Sequence, residues 1–357
     1  MRSSTVKKNN IFIFVFLLLG FQSLAKAQTY QWRIAETWPQ NFPIFSEAVE
    51  KMSALTHQLS NGRLTIRSYP REVHKRPLGV FDMVRSGEFE MGHSASYFWK
   101  DWDINTLFFT TLPFGMTANE QYSWFYYGGG IELMQKTYAP YGVLSFPGGN
   151  TGNQMGGWFR KEIKSIKDLH GLIMSVPGLA SDAFVRLGVQ TINLPAEKLL
   201  KSLESGAIDA LEWVGPSQDL TMGFHKVAPF YYTGWHEPAT ELQFLVNKQA
   251  YNKLPQDLQL ILTVSMRLAA YDMYFNNFHV SANNLSKMRD EYPNIKIRAF
   301  PRDVIRELRK HIDLKLTELR KSGSPLTKEI LASIDAYKAT ARQWTLISDQ
   351  AFLNNGF

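Results

Sequence analysis

The sequence predicts an α/β chain of two similar lobes closed by helices, and three features predict it. Stretches that alternate apolar and polar residues trade places with amphipathic helical stretches from Tyr30 onward, as when helices are laid on the faces of a sheet. One phrase occurs twice, as Val84-Arg85-Ser86-Gly87-Glu88-Phe89-Glu90 and as Leu203-Glu204-Ser205-Gly206-Ala207-Ile208-Asp209. In each copy an amphipathic helix stops at a glycine, whose ease at positive φ suits a C-cap, and an acidic-apolar strand follows. After Pro255 the pattern is mostly helical.

Taken in order, residues 30–36 alternate as a half-buried strand does, and Trp38-Pro39 breaks the alternation. Asn41-Phe42-Pro43 leads into a helix over 44–59, and Asn61-Gly62 turns the chain into a strand over 63–69. A helix over 77–85, the pair Ser86-Gly87 and a strand over 89–94 complete a strand–helix succession that predicts a largely parallel sheet. The run Phe146-Pro147-Gly148-Gly149-Asn150-Thr151-Gly152 is dense in turn formers and predicts a crossover between lobes. Strands are expected over 207–211 and 241–246, a long helix from Pro255 to about 288, a strand over 295–300, and helices over 304–321 and 326–348. The division that follows is a first lobe over 28–150 with a return over about 244–300, a second lobe over 151–243, and C-terminal helices over 301–357.

The chain has 357 residues, enough for about two domains. With 45% hydrophobic and 20% charged residues it can bury a core. It has no cysteine, which excludes disulfide frameworks, thiol nucleophiles and thiolate metal sites together. The formal charge of +7 points toward nucleic acid only until it is located. Arg2, Lys7, Lys8 and Lys26 lie in the first 27 residues with no acid among them, and the remaining 35 basic residues face 32 acidic ones, an ordinary +3 that calls for no nucleic-acid partner. That first segment reads as a secretory signal: a basic start, the apolar run from Ile11 to Leu19, and Ala25-Lys26-Ala27 as the cleavage pattern. The run is shorter than the roughly 20 residues that span a bilayer. The reading is export, with cleavage after Ala27 and Gln28 as the new N-terminus.

Several motifs fail on their own terms. Gly92-His93-Ser94-Ala95-Ser96 resembles a nucleophile elbow, but Ser96 stands where the sharp turn needs glycine. Gly128-Gly129-Gly130 lacks the following Lys-Ser/Thr of a P-loop, and His236-Glu237 lacks the second histidine of a zincin helix. Two acid–aromatic pairs remain. Glu212-Trp213-Val214-Gly215-Pro216 follows an expected strand, and Trp235-His236-Glu237-Pro238 precedes another. Strand ends of open α/β sheets are where ligands bind. A carboxylate there is either a hydrogen-bonded structural acid or a ligand for a hard cation.

Thr37-Trp38-Pro39, Val80-Phe81-Asp82-Met83-Val84, Met91-Gly92-His93-Ser94-Ala95, Pro113-Phe114-Gly115-Met116-Thr117, Tyr126-Tyr127-Gly128-Gly129-Gly130, the run from Asn150 to Trp158, Glu212-Trp213-Val214-Gly215-Pro216 and Trp344-Thr345 follow one another in an order that resembles the extracytoplasmic solute receptors of TRAP transporters, in the branch that binds 2-oxo and 2-hydroxy acids. The resemblance covers nearly the whole chain after the signal segment. It implies a two-lobed periplasmic binding protein fold with the ligand cleft between the lobes, closure on a small organic acid, and delivery to the membrane subunits of a secondary transporter. The expectation is a binding protein and not an enzyme. The alternatives are a receptor of the same fold that serves a sensor or regulator, and an exported metal-assisted hydrolase with Glu212 or Glu237 as base, for which the sequence offers no nucleophile. The resemblance also implies a cation, sodium or calcium, bound together with the ligand by Gln154, Glu212, Glu237 and the backbone carbonyl of Trp213, an oxygen set that suits a hard cation. Tyr97 and Phe98 would line the pocket.

Two positions depart from that pattern. The carboxylate-gripping arginine expected after Gly171-Leu172-Ile173-Met174 is Ser175, which has neither the charge nor the two-pronged fork. Either the cation carries the recognition or the ligand class has changed. Before the helix at 77–85, a small apolar turn is replaced by Arg71-Glu72-Val73-His74-Lys75-Arg76, a solvated charge run or a relocated cation facing the cleft. The apolar residues of the C-terminal helices (Leu314, Leu316, Leu319, Ile330, Leu331, Ile334 and Trp344) fit packing on the chain's own lobes or across a symmetric homodimer.

Overall fold

The computed structural model describes residues 28–356, so the signal segment and its cleavage site lie outside the described residues. Eleven strands form two sheets among these residues: β1 (Tyr30–Glu36), β2 (Leu64–Tyr69), β3 (Met91–Ser94), β4 (Val143–Asn150), β5 (Gly157–Phe159), β6 (Ile173–Ser175), β7 (Gln190–Ile192), β8 (Ala210–Leu211), β9 (Phe230–Tyr232), β10 (Glu241–Asn247) and β11 (Lys296–Arg298). The first sheet runs β2-β1-β3-β10-β4 and the second β11-β9-β5-β8-β6-β7.

The two sheets share a plan. Three parallel strands (β2-β1-β3 and β7-β6-β8) are followed by an antiparallel strand, β10 in one and β5 in the other, that the chain supplies on crossing from the opposite lobe. Both sheets are therefore mixed, where the strand–helix order predicted a largely parallel one. That order describes only the βαβ part of each lobe; the crossing strands pair antiparallel because they enter from the hinge side. The repeated phrase occupies equivalent places. Gly87 (φ 78°) and Gly206 (φ 76°) end helices and lead to β3 and β8, the third strand of each set.

The turn-rich segment at 146–152 is not a turn. Residues 146–150 belong to β4, and only 151–156 crosses to the second lobe. A Cβ on Gly148 would lie 2.7 Å from the Gln243 carbonyl carbon, and one on Gly149 would lie 2.0 Å from the Met273 sulfur. These glycines admit close neighbours rather than a chain reversal. The return crossing, 233–240, delivers β10 to the first sheet from Glu241, ahead of the expected 244. The expected return over 244–300 also ends too late, because β11 pairs with β9 in the second sheet.

The helix Gln256–Glu291 explains that difference. Its 36 residues span about 54 Å at 1.5 Å per residue, enough to cross both lobes. Near its start Leu258, Leu262 and Met266 pack with Trp32, Ile34 and Phe244 of the first lobe; near its end Met288 packs with Trp158 and Leu211 of the second. The C-terminal helices strap the lobes together. Helix Arg302–Ser322 buries Val304, Leu308 and Ile312 in the cluster that holds Ala183 and Phe184 of the second lobe. Helix Pro325–Ile347 returns to the first lobe, where Ser333 accepts from Trp124 Nε1 at 3.0 Å and Arg342 pairs with Glu120 at 2.7 Å. Leu316, Ile330, Leu331 and Ile334 are thus buried against the chain's own lobes, whereas Leu314 and Trp344 are exposed. Among the described residues no helix is long and apolar enough to cross a membrane.

Candidate functional site

The site lies where the two crossing segments meet. The Gln154 backbone N–H, on the outward crossing, donates to the Glu237 carbonyl on the return crossing at 2.9 Å. Glu212 directly follows β8, and its N–H donates to the Ser175 carbonyl at the end of the neighbouring strand β6, also at 2.9 Å. The strand ends of the second lobe therefore aim at the hinge. Asp219 fixes the connecting loop: its carboxylate accepts from the Val214 and Gly215 backbone N–H groups and from Trp158 Nε1 and Tyr231 OH. Asp219 is thus a hydrogen-bonded structural acid.

Glu212, His236 and Glu237 are buried together, each with a potential ligand atom within 4.8 Å of the others. His236 Nε2 stands 3.6 Å from Glu212 Oε1, beyond a hydrogen bond. Glu212 Oε1, Gln154 Oε1 and both ring nitrogens of His236 have no hydrogen-bond partner. Burial, reinforced by the charge of Asp219, pushes the Glu212 carboxyl well above its ordinary range. Glu237 is pushed up to about 7 by burial and then by Glu212, although Thr240 Oγ1 donates to its Oε2 at 2.5 Å. Burial lowers the pKa of His236, against the charge of Glu237. Two buried carboxylates with an unpaired amide oxygen beside them form an acceptor-rich pocket that lacks positive charge, and this donor set fits a hard cation.

The cleft beside this corner encloses about 60 Å³. At roughly 10–15 Å³ per water-sized atom, it accommodates roughly four to six such atoms. Its walls come from both lobes: Thr37, Trp38, Phe42, Tyr97 and Phe98 from the first, Ser175, Asn193, Leu194, Glu212 and Trp213 from the second, with Gln154 at the hinge. The Phe42 and Trp213 rings meet edge to face across it at 6.3 Å. Trp38 is held from behind by donating its indole N–H to His93 Nδ1 at 2.9 Å, while His93 Nε2 bonds the Gly148 carbonyl. Burial keeps His93 neutral, with its pKa lowered to about 4. The elbow-like Gly92-His93-Ser94 is therefore strand β3, with Ser94 Oγ bonded to Thr37 Oγ1.

Of the sequence-derived candidates, Tyr97, Phe98, Gln154, Ser175, Glu212 and Trp213 line the cleft, and Glu237 sits behind it beside Glu212. The Ser175 hydroxyl accepts from the Leu194 N–H at 3.4 Å, which leaves its own O–H to donate. Arg71 lines the cleft and is only 15% exposed, whereas Lys75 and Arg76 point to solvent and Arg76 pairs with Glu88. His236 and Thr240 escaped the sequence reading as members of this corner. Both lay within reach: His236 stands beside Glu237 in the motif already singled out, and Thr240 follows three residues later.

A cleft between two α/β lobes with an acceptor-rich corner at the hinge defines a solute receptor of the two-lobed, closing kind. The comparisons agree. Residues 34–322 match the model for bacterial extracellular solute-binding protein family 7, and the chain belongs to that family. It is 35% identical to the monocarboxylate 2-oxoacid-binding periplasmic protein of a Nostoc species over 91% of this chain and 88% of that one. Two solved TRAP periplasmic solute binding proteins are each 56% identical, over 92% of this chain and all of theirs. That from Colwellia psychrerythraea holds calcium and pyruvate (TM-score 0.91), and that from Pseudoalteromonas atlantica holds sodium and pyruvate (TM-score 0.90).

Proposed function

We propose that this chain captures a short 2-oxo monocarboxylate of the pyruvate class together with one sodium or calcium ion, and presents it to the membrane subunits of a TRAP transporter. The observation that carries this is the buried corner where Glu212 Oε1 and Gln154 Oε1 lack any donor and Glu237 lies within reach of both Glu212 and His236. Gln154, Glu212, Glu237 and the Trp213 carbonyl hold the cation, which neutralises the two carboxylates and offers a positive charge to the ligand's oxygens. Tyr97, Phe98 and Trp38 exclude water, which strengthens every charge interaction inside. The small enclosed volume and the 2-oxoacid-binding relative both support a ligand of a few heavy atoms.

The role is binding without turnover, in the periplasm, after removal of residues 1–27. The lobes are assigned as 28–150 with 241–255, and 157–232 with 292–300, joined by the two crossings and the long helix. The chain works as a homodimer.

Calorimetric titration with pyruvate tests the reading. Binding is expected with calcium or sodium and is expected to weaken at least tenfold in potassium buffer with chelator, or in Glu237→Gln, at about 1.4 kcal/mol per tenfold. Unchanged affinity under both conditions would remove the cation from the scheme, and absence of 2-oxo acid binding with either cation would remove the ligand class.

A further inference from the structure

Arg71 is the only Lys, Arg or His side chain lining the cleft among the described residues. It opens the single-turn helix Arg71–His74, and its backbone N–H is tied to the Trp38 carbonyl of the cleft wall at 3.1 Å. Its Nη1 donates to Glu197 Oε2 at 2.7 Å, and its Nε lies 3.4 Å from Glu72 Oε1. Nη2 makes no hydrogen bond to any described residue, so this cleft-lining arginine keeps a donor to spare. Glu197 begins the helix Ala196–Ser205 of the second lobe. Among the described residues this is the only ion pair that joins the two sheet-bearing lobes directly.

Charge counting inside the cleft makes a role for it. A divalent cation against ionised Glu212 and Glu237 sums to zero, and a monovalent one leaves a deficit, so an incoming carboxylate adds negative charge that a further positive partner would balance. Ser175 is uncharged and supplies none. Glu197 is nearly half exposed, so water screens its claim on Arg71. Building on the function proposed above, we propose that Arg71 is the specificity-determining residue: its spare Nη2 donor grips the ligand carboxylate from the first lobe, and Glu197 is the positioning residue that aims it from the second. Recognition of the acid and closure of the cleft are thereby carried by one side chain.

Pyruvate and pyruvamide, its neutral isostere, separate this from a purely structural latch when each is titrated with saturating calcium. Arg71→Ala is expected to weaken pyruvate by roughly tenfold to a hundredfold, the worth of a charge-assisted hydrogen bond, and to leave pyruvamide far less affected. Glu197→Gln, which loses the aim of Arg71 but not its charge, is expected to weaken pyruvate more than pyruvamide, in the same sense as Arg71→Ala and by less; an equal loss for both would remove the positioning role of Glu197. Arg71→Lys, which keeps the charge without the fork, is expected to fall between, and Ser175→Arg placed in Arg71→Ala to restore the preference. Equal losses for acid and amide in Arg71→Ala would make Arg71 a latch only and overturn the assignment, as would no loss for either. If the unaltered protein bound pyruvate with calcium while Arg71→Ala was indifferent, this inference alone would fall. If the unaltered protein bound no 2-oxo acid, both readings would fall together.

Discussion

Buried acids are the residues on which this molecule's pH behaviour turns, and not all of them face the ligand. Glu241, at the start of β10, accepts from the Gly149 N–H and the Asn150 amide, yet burial pushes its pKa up to about 8. Glu36 is pushed up to about 7 by burial, against hydrogen bonds from Ser68 and Ser46. A carboxyl whose folded pKa lies above its ordinary value takes up protons on folding. Its contribution is fully present below about 4.5 and is lost as pH climbs through 7 and 8. Without added cation or ligand, the Tm is therefore expected to be lower at pH 8 than at pH 5 by roughly 3–8 °C, at about 2–4 °C per kcal/mol. Glu241→Gln is expected to flatten that slope, and a melting series across pH in both proteins checks it; a Tm that rises with pH in the unaltered chain would contradict the assignment. Sequence reasoning found Glu212 and Glu237 because aromatic residues and proline flank them at expected strand ends. It passed over Glu241 and Glu36, whose burial arises from partners such as Asn150 and Ser68 that no local pattern ties to them.

The elements that set the site are the two crossing segments, and they touch through backbone. A Cβ on Gly234 would sit 1.7 Å from the Gln154 carbonyl oxygen. Gly234→Ala must therefore push Gln154 away from Glu237 and Glu212. The expectation is a loss of about 1–3 kcal/mol in stability, the usual size for overpacking, with weaker cation-dependent pyruvate binding. Gly215→Ala is the control, since its Cβ meets nothing within 4 Å and its φ of 173° is ordinary extended backbone. Calorimetry and melting on both variants decide it, and a silent Gly234→Ala would mean that the crossings yield. This region also marks where the sequence misled. Gly148-Gly149 reads as a turn because glycine signals turns more often than tight strand packing, and the approaching atoms belong to Gln243 and Met273, far along the chain. The elements with a strong local period were legible almost to the residue. The strand at 30–36 is as expected, and the helix expected over 44–59 spans Phe45–Leu59. The antiparallel strands were not legible as such, because pairing direction depends on where the chain re-enters, which periodicity does not encode.

At the scale of the whole molecule, the long helix has more apolar surface than one chain covers. Leu258, Leu262, Met266, Ala269 and Met273 face the core, while Leu260, Val264, Leu268, Phe275 and Phe278 are exposed on other faces. The C-terminal helices add exposed Trp344, Ile347, Phe352 and Leu353. Exposed apolar residues on both elements are candidates for an interaction site, and a second copy of the chain that presented the same surface would cover both sets, as a two-fold interface requires. A stable dimer of this type buries roughly 1,200–2,000 Å² in total. Light scattering at micromolar concentration is expected to give twice the chain mass with or without pyruvate and calcium, because these helices flank the lobes rather than the cleft. Phe275→Asp with Phe278→Asp, both exposed in the single chain, is expected to yield a monomer that still binds pyruvate with its cation. A monomeric mass for the unaltered protein under both conditions would leave this surface without the partner assigned to it, and a doubly substituted chain that remained dimeric would place the interface elsewhere.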